Sequence, residues 1–398
     1  MQQRIRKFEM NRTTAGLLSA LAVGVAQAMQ TNDVAFTATH DQSEQRYVVI
    51  APDGLDPAQP RDLLICLHGH GSDRWQFIRE ARGEARAARD AAAQNGMILV
   101  SPDYRAPTSW MGPAAEADLL QLIGDLKKQY KLGRVLLSGG SMGASSALTF
   151  AALHPDLVDG VVALNGLADH QSYTNFQDAI AASFGGSKAQ VPDEYRKRSA
   201  VNFPERFVMP LAVTAGGKDT VVPPESAMKL AKEAQSRNPF VYVDFRAERG
   251  HETDYDASLA AFRFVVQAPR ARMARAAVSH NGKPLMPAHA TAAGVWFYAN
   301  GGSQALLTGH GTVPGGWQLT AALAKGDELR LTLDPGGVAL GELQFQTDAL
   351  SGKALACRAE GNAVVVRAEA DAGAVRLSRF ASGGVPLTWV PERQPFSR

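Results

Sequence analysis

Apolar and polar positions follow two periods along the first two thirds of the chain. Short, nearly unbroken apolar runs recur: Leu63-Leu64-Ile65-Cys66-Leu67, Met97-Ile98-Leu99-Val100, Val135-Leu136-Leu137, Val161-Val162-Ala163-Leu164 and Leu211-Ala212-Val213. Such runs are strands buried on both faces, since a half-exposed strand would alternate. Between them lie longer stretches with helical spacing. Residues 75–94 are rich in Ala, Arg and Glu, and residues 113–130 open on proline at the first helical position. Strand and helix in repeated alternation predict a mostly parallel, doubly wound sheet covered by helices on both faces, the α/β class. Residues of about 33–60, with Arg46-Tyr47-Val48-Val49-Ile50, read as antiparallel strands that open the sheet. Residues 169–206 interrupt the alternation, a length that suits only a small cap.

Near Pro269 the pattern changes. Short alternating runs (Val295 to Tyr298, Glu328 to Leu333, Glu342 to Phe345, Ala363 to Arg367, Val375 to Leu377) are separated by Gly-Gly, Asn-Gly and Asp-Pro-Gly-Gly turns, with no helix-length period among them. Residues 269–398 therefore read as a second, all-β domain of sandwich type. Trp296, Trp317 and Trp389 are either part of its core, the commoner role, or a surface on which sugars stack.

Three of the apolar runs end in residues suited to chemistry. After Leu137 come Ser138-Gly139-Gly140-Ser141-Met142-Gly143 and then a small-residue helical stretch. A serine at the apex of so tight a strand–turn–helix sits in a strained backbone conformation. Side chains two positions to either side would collide, hence Gly139 and Gly143. Gly185-Gly186-Ser187 and Gly301-Gly302-Ser303 look alike, but no apolar strand leads into them. The run ending at Leu67 continues as His68-Gly69-His70-Gly71. The run at Leu211 continues as Gly216-Gly217-Lys218-Asp219, and Phe240 to Phe245 alternates up to Gly250-His251. Asp254 and Asp256 read as helix N-terminal charges, and His154 as a helix-end residue. No His, Cys and Asp cluster has metal-ligand spacing, so no metal or other cofactor is expected.

Over about residues 45–268 the chain resembles the α/β-hydrolase superfamily. It is similar above all to single-domain serine esterases and to prolyl-oligopeptidase-like and dienelactone-hydrolase-like catalytic domains. The order Ser141, Asp219, His251 is the triad order of that superfamily. The resemblance implies that Ser141 is the nucleophile, His251 its base and Asp219 the acid that orients the base, with Asp169 as the rival acid. It also implies an oxyanion hole formed by the Met142 N–H and a second N–H from His70 or Gly71. The His70 ring facing substrate remains an alternative.

Composition places this chemistry. The 398 residues are 45% hydrophobic and 20% charged, ordinary globular values with room for more than one domain. Residues 1–28 differ. Arg4, Arg6, Lys7 and Arg12 precede a short apolar stretch and then Ala26-Gln27-Ala28. That is the form of a signal peptide, too short for a membrane span, with Met10 as an alternative start. Its four basic residues and one acidic residue give +3, so a formal charge of +2 falls to −1 without it. No basic field remains for nucleic acid. The expected setting is secreted or periplasmic. Cys66 lies in a central strand and Cys357 far off in the β-rich region, so Cys66 reads as a small buried hydrophobe.

Together these features lead us to expect a catalytic domain over residues 29–268 that cleaves acyl esters, small or polymer-attached. Carbohydrate contact through the C-terminal region is one reading of that region. Prolyl-oligopeptidase-like peptidases usually carry a propeller ahead of the catalytic domain, and about 30 residues precede it here, so an ester is the default. A peptidase or amidase, and a non-catalytic binding protein on the same scaffold, are the alternatives.

Overall fold

The computed structural model describes residues 29–56, 59–236, 238–268, 272–291, 294–298, 304–309, 317–334, 345–349, 355–360, 363–369, 373–379 and 387–391. The signal-peptide expectation falls on residues 1–28 and lies outside them. Eight strands build the first sheet: β1 (Met29–Thr37), β2 (Glu44–Pro52), β3 (Arg61–Leu67), β4 (Ile98–Pro102), β5 (Leu132–Gly140), β6 (Gly160–Leu164), β7 (Leu211–Gly216) and β8 (Val241–Arg246). Their order is β1-β2-β4-β3-β5-β6-β7-β8. β1 pairs antiparallel with β2, and β2 with β4; every later pairing is parallel.

The helices are α1 (Gln76–Arg79), α2 (Gly83–Gln94), α3 (Pro113–Gln129), α4 (Met142–Leu153), α5 (Gln177–Phe184), α6 (Pro192–Arg198), α7 (Glu225–Gln235) and α8 (Tyr255–Gln267). They cover both faces of the sheet. Leu63, Ile65 and Leu67 of β3 pack on the side of α3, α4 and α7, against residues such as Leu122, Leu148 and Leu230. Leu64 and Cys66 face the other way, onto the alanines of α2 and onto Leu259, Phe262 and Val265 of α8. Both alternating sets are apolar because both faces are buried. Cys66 is free and fully buried, which pushes its thiol pKa up. The Cys357 side chain lies outside the described residues.

One expected helix is two. Residues 75–94 break at Glu80, where the backbone turns extended, and resume at Gly83. The cause is long-range. A Cβ on Gly83 would lie 2.4 Å from the Tyr255 backbone nitrogen, so α2 starts where it can press directly on the start of α8. Arg89 of α2 donates to Phe77 O at 2.7 Å and Glu80 O at 2.9 Å, satisfying carbonyls left open at the break.

Residues 169–206 form a small cap made of α5, α6 and two 3-10 turns, Ala200–Asn202 and Pro204–Arg206. A buried ionic network ties it down. Arg198, fully buried, donates to Glu116 Oε2 of α3 at 2.8 Å and to Glu194 Oε2 at 2.9 Å. Glu116 Oε1 lies 2.8 Å from Nε2 of His154, the C-cap of α4, as a helix-end residue should. Burial by itself would raise the Glu116 pKa. The His154 hydrogen bond and the Arg198 charge outweigh it and bring it to about 2.

Strands resume at Arg272–His280 and recur to Leu387–Pro391, pairing antiparallel except for Leu387–Pro391 on Arg272–His280. The expected runs from Val295, Glu328, Ala363 and Val375 fall in strands Gly294–Tyr298, Glu328–Asp334, Ala363–Ala368 and Gly373–Arg379. Of the run from Glu342 to Phe345, only Phe345 is described. The tryptophan side chains of this region lie outside the described residues.

His170 supplies a stability test. It is fully buried against Trp110 and Phe184, and burial pushes its pKa down from 6.5 to about 3. The unfolded chain therefore takes up a proton between pH 6.5 and 3 that the folded chain refuses. Stability present above pH 6.5 is lost as pH falls toward 3, by about 2–3 kcal/mol between pH 7 and 4.5. His170→Phe keeps the ring and removes the titration. Thermal midpoints at pH 7 and 4.5 should show a smaller acid loss in the variant than in the parent; equal losses would contradict the assignment.

Candidate active site

The turn between β5 and α4 carries Ser141 at φ 57°, ψ −121°, a left-handed conformation held by its N–H donating to Leu164 O at 2.9 Å. The flanking glycines are sterically required. A Cβ on Gly139 would lie 2.3 Å from Gly143 C, and one on Gly143 1.9 Å from Leu67 O. Of the two look-alike sequences, Gly185 is simply the left-handed C-cap of α5, and Gly301-Gly302-Ser303 lies outside the described residues.

His251 comes from the loop between β8 and α8. Its Nε2 lies 2.8 Å from Ser141 Oγ, and its Nδ1 lies 2.6 Å from Asp219 Oδ2. Asp219, with its side chain 1% exposed, accepts from the Val221 and Val222 N–H groups at 2.9 and 2.8 Å through Oδ1. A carboxylate can only accept, so Nδ1 carries the proton toward Asp219. Nε2 is then left as the acceptor for the Ser141 hydroxyl. Asp169 is not in this chain of contacts: its carboxylate caps a turn, accepting from the Gln171 N–H and the Ser172 hydroxyl. Asp254 is the N-cap of α8, accepting from the Ala257 N–H at 2.9 Å.

Two loops are locked together and bring Asp219 and His251 within reach of each other. The Gly217 N–H donates to Arg246 O at 2.9 Å and the Lys218 N–H to Arg249 O at 2.8 Å. A Cβ on Gly216 would meet Gly250 O at 2.2 Å, and one on Gly217 would meet Ala247 O at 2.6 Å. Only glycines permit this approach.

The His68–Gly71 turn lies across the cleft. Gly69 donates to Gln76 Oε1 at 2.6 Å, and Gly71 donates to Pro107 O at 2.9 Å. Gly71 is thereby removed as an oxyanion donor, a correction that follows from the path of the 103–112 loop. The His70 N–H has no partner among the described residues, and neither has the Met142 N–H at the first position of α4. The His70 ring packs 4.6 Å from that of Phe176, with Trp110 behind, and burial lowers its pKa. Phe176 holds a left-handed backbone at the N-cap of α5 and is 37% exposed. A cleft of about 460 Å³ is lined by Ser141, His251, His70, Phe176, Gln76 and Glu84. Sequence reasoning missed the last three, which carry no motif. Among the described residues no three His, Cys, Asp or Glu side chains group as metal ligands. No described helix is long and apolar enough to cross a membrane.

Residues 115–266 match the model of the prolyl oligopeptidase family. A putative dipeptidyl aminopeptidase IV from Bacteroides ovatus shares the fold at a TM-score of 0.50 and 15% identity, over 62% of this chain and 37% of that one. The chain carries an α/β-hydrolase domain. It thus spans little more than a third of the length of the Bacteroides ovatus relative. A ferulic acid esterase aligns at a TM-score of 0.47 and 16% identity, over 60% of this chain and 99% of that one. An S-formylglutathione hydrolase from Staphylococcus aureus aligns at a TM-score of 0.46 and 16% identity, over 60% and 98%. No curated protein matches the sequence. Residues 115–266 are thus similar to a family of serine hydrolases.

The elbow geometry makes a direct prediction. Gly143→Ala should cost about 3 kcal/mol or more, because the methyl group meets main chain and not a movable side chain. Thermal unfolding of the purified variant checks this, and a midpoint within a degree or two of the parent would show that the elbow yields.

Proposed function

We propose that the protein hydrolyses acyl esters through an acyl-enzyme on Ser141. The observation that carries this is the unbroken contact chain from Ser141 Oγ to His251 Nε2 at 2.8 Å and from His251 Nδ1 to Asp219 at 2.6 Å, on a strained elbow at the edge of a cleft. In this reading His251 takes the Ser141 proton as Oγ attacks the carbonyl carbon, and then delivers it to the leaving oxygen. Asp219 holds the imidazole tautomer and stabilises the imidazolium. The Met142 and His70 N–H groups, both without partners among the described residues, receive the negative charge that develops on the carbonyl oxygen. One such donor is worth about 3–4 kcal/mol. Water then repeats the sequence in reverse and releases the acid.

A second reading has its own support. The match of residues 115–266 to the prolyl oligopeptidase family favours amide substrates, with the same residues in the same roles. Comparing p-nitrophenyl esters with aminoacyl nitroanilides separates the two. We further propose that residues 1–28 direct export and are removed. Residues 269–398 would form an accessory β-domain that attaches the enzyme to a polymeric substrate or covers apolar surface on the hydrolase domain.

A fluorophosphonate probe should label Ser141, and Ser141→Ala should abolish labelling while reducing turnover by several orders of magnitude. Retention of more than about a tenth of the parent rate would remove Ser141 from the mechanism. Asp219→Asn should lower kcat by about 10⁴ by favouring the wrong tautomer, while Asp169→Asn should be mild. The reverse ranking would reassign the acid. Residues 29–268 expressed alone should keep their rate on small soluble esters. Aggregation of that fragment would show the β-rich region to be part of the catalytic unit.

A further inference from the structure

The cleft contains a carboxyl group that the proposed acyl transfer does not use. Glu84 stands in the first turn of α2 with its side chain 14% exposed. Among the described residues it accepts no hydrogen bond. The nearest cationic atom, Arg82 Nη1, lies 3.8 Å from its Oε1, and the Arg82 Nε is engaged 2.6 Å from Glu80. A Cβ built on Gly140 would come within 3.2 Å of Glu84 Oε1, so the carboxyl lies against the residue that precedes Ser141. It also lines the same cleft as Ser141 and His251.

The fold presents this group rigidly. The break after α1 and the direct backbone contact of Gly83 with Tyr255 fix where α2 begins, and Glu84 is the next residue. A carboxyl moved largely out of water is costly unless a donor reaches it, and burial here raises its pKa. A structural carboxyl at such a place would have an internal donor. The lining of the same cleft also carries two apolar side chains, Phe176 and Val221, each 37% exposed.

We propose that Glu84 is a specificity-determining residue that accepts a hydrogen bond from a hydroxyl or ammonium group of the substrate, so that preferred acyl groups carry such a donor close to the scissile carbonyl. This rests on the serine-hydrolase reading given above. The test uses the full chain and three p-nitrophenyl esters of equal chain length: butanoate, 3-hydroxybutanoate and 3-aminobutanoate. The readout is the ratio of kcat/KM for each donor-bearing ester to that for butanoate. At least one ratio should exceed about ten in the parent. Glu84→Ala should bring it close to one.

Glu84→Gln separates the two donors, since a neutral amide oxygen still accepts from a hydroxyl but no longer attracts an ammonium. Loss of preference in that variant identifies the ammonium, and partial retention the hydroxyl. If both parent ratios are near one while the fluorophosphonate labels Ser141, Glu84 has no such role and the serine reading stands. If the Ala and Gln variants slow all three esters equally, Glu84 is structural and the proposal is overturned. Absence of both labelling and turnover in the parent would overturn the serine reading, and this inference with it.

Discussion

The reactive end of this sheet depends on one backbone-to-backbone contact, that of α4 against the end of β3. The position that a Gly143 Cβ would take is 1.9 Å from Leu67 O, so hydrogen is the largest substituent the contact tolerates. Because β3 and β5 are neighbours in the sheet, this contact fixes two things together. It sets the start of α4, with Ser141 and the Met142 N–H, and it sets the exit of β3 into the His68–Gly71 turn, with the His70 N–H. Ser141 and two N–H groups from separate segments thus acquire a fixed geometry. The left-handed Ser141 backbone costs about 1–3 kcal/mol, a strain that persists only where its surroundings over-determine it. Here the Leu164 carbonyl and the rigid start of α4 do so.

The same device recurs on the far side of the cleft with a different purpose. Gly216 and Gly217 let the turn after β7 lie directly on the loop after β8, and two N–H to carbonyl bonds join the loops. Asp219 and His251 are far apart in sequence, yet each is held by main chain and not by flexible side chains. In the roles proposed for Asp219, His251 and Ser141, groups that must align within a few tenths of an ångström gain most from such anchoring.

This explains which parts of the molecule were legible in the sequence. Glycine spacing around Ser141 and ahead of Asp219 is a local trace of close backbone approach, and unbroken apolar runs are a local trace of two-sided burial. Both could therefore be read from the chain alone. The division of residues 75–94 into α1 and α2 could not, because its cause is Gly83 meeting Tyr255 on a helix distant in sequence. The choice between His70 and Gly71 was equally hidden. It turns on Pro107, in a loop whose path no short pattern records. Glu84 was invisible for the same reason: in sequence it is an ordinary helix-opening acid, and only the position of that opening against Gly140 makes it part of a cleft.

Residues 169–206 are tied to the hydrolase fold by a network of charged side chains. Arg198 is buried with Glu116 and Glu194 as carboxylate partners, and Glu116 also faces His154, so α3, α4 and α6 share one ionic knot. Removing one member of a buried ion set leaves an uncompensated charge, at a cost of about 3–5 kcal/mol, so such a knot resists opening. That knot fixes α6 against α3 and α4. Phe176 holds a left-handed backbone, with its ring 4.6 Å from that of His70. On the proposed reading, selectivity rests on two parts of the cleft lining, apolar at Phe176 and Val221 and polar at Glu84. Substrates that order their apolar and donor groups to match those two parts lose little of their binding energy to rearrangement of the protein.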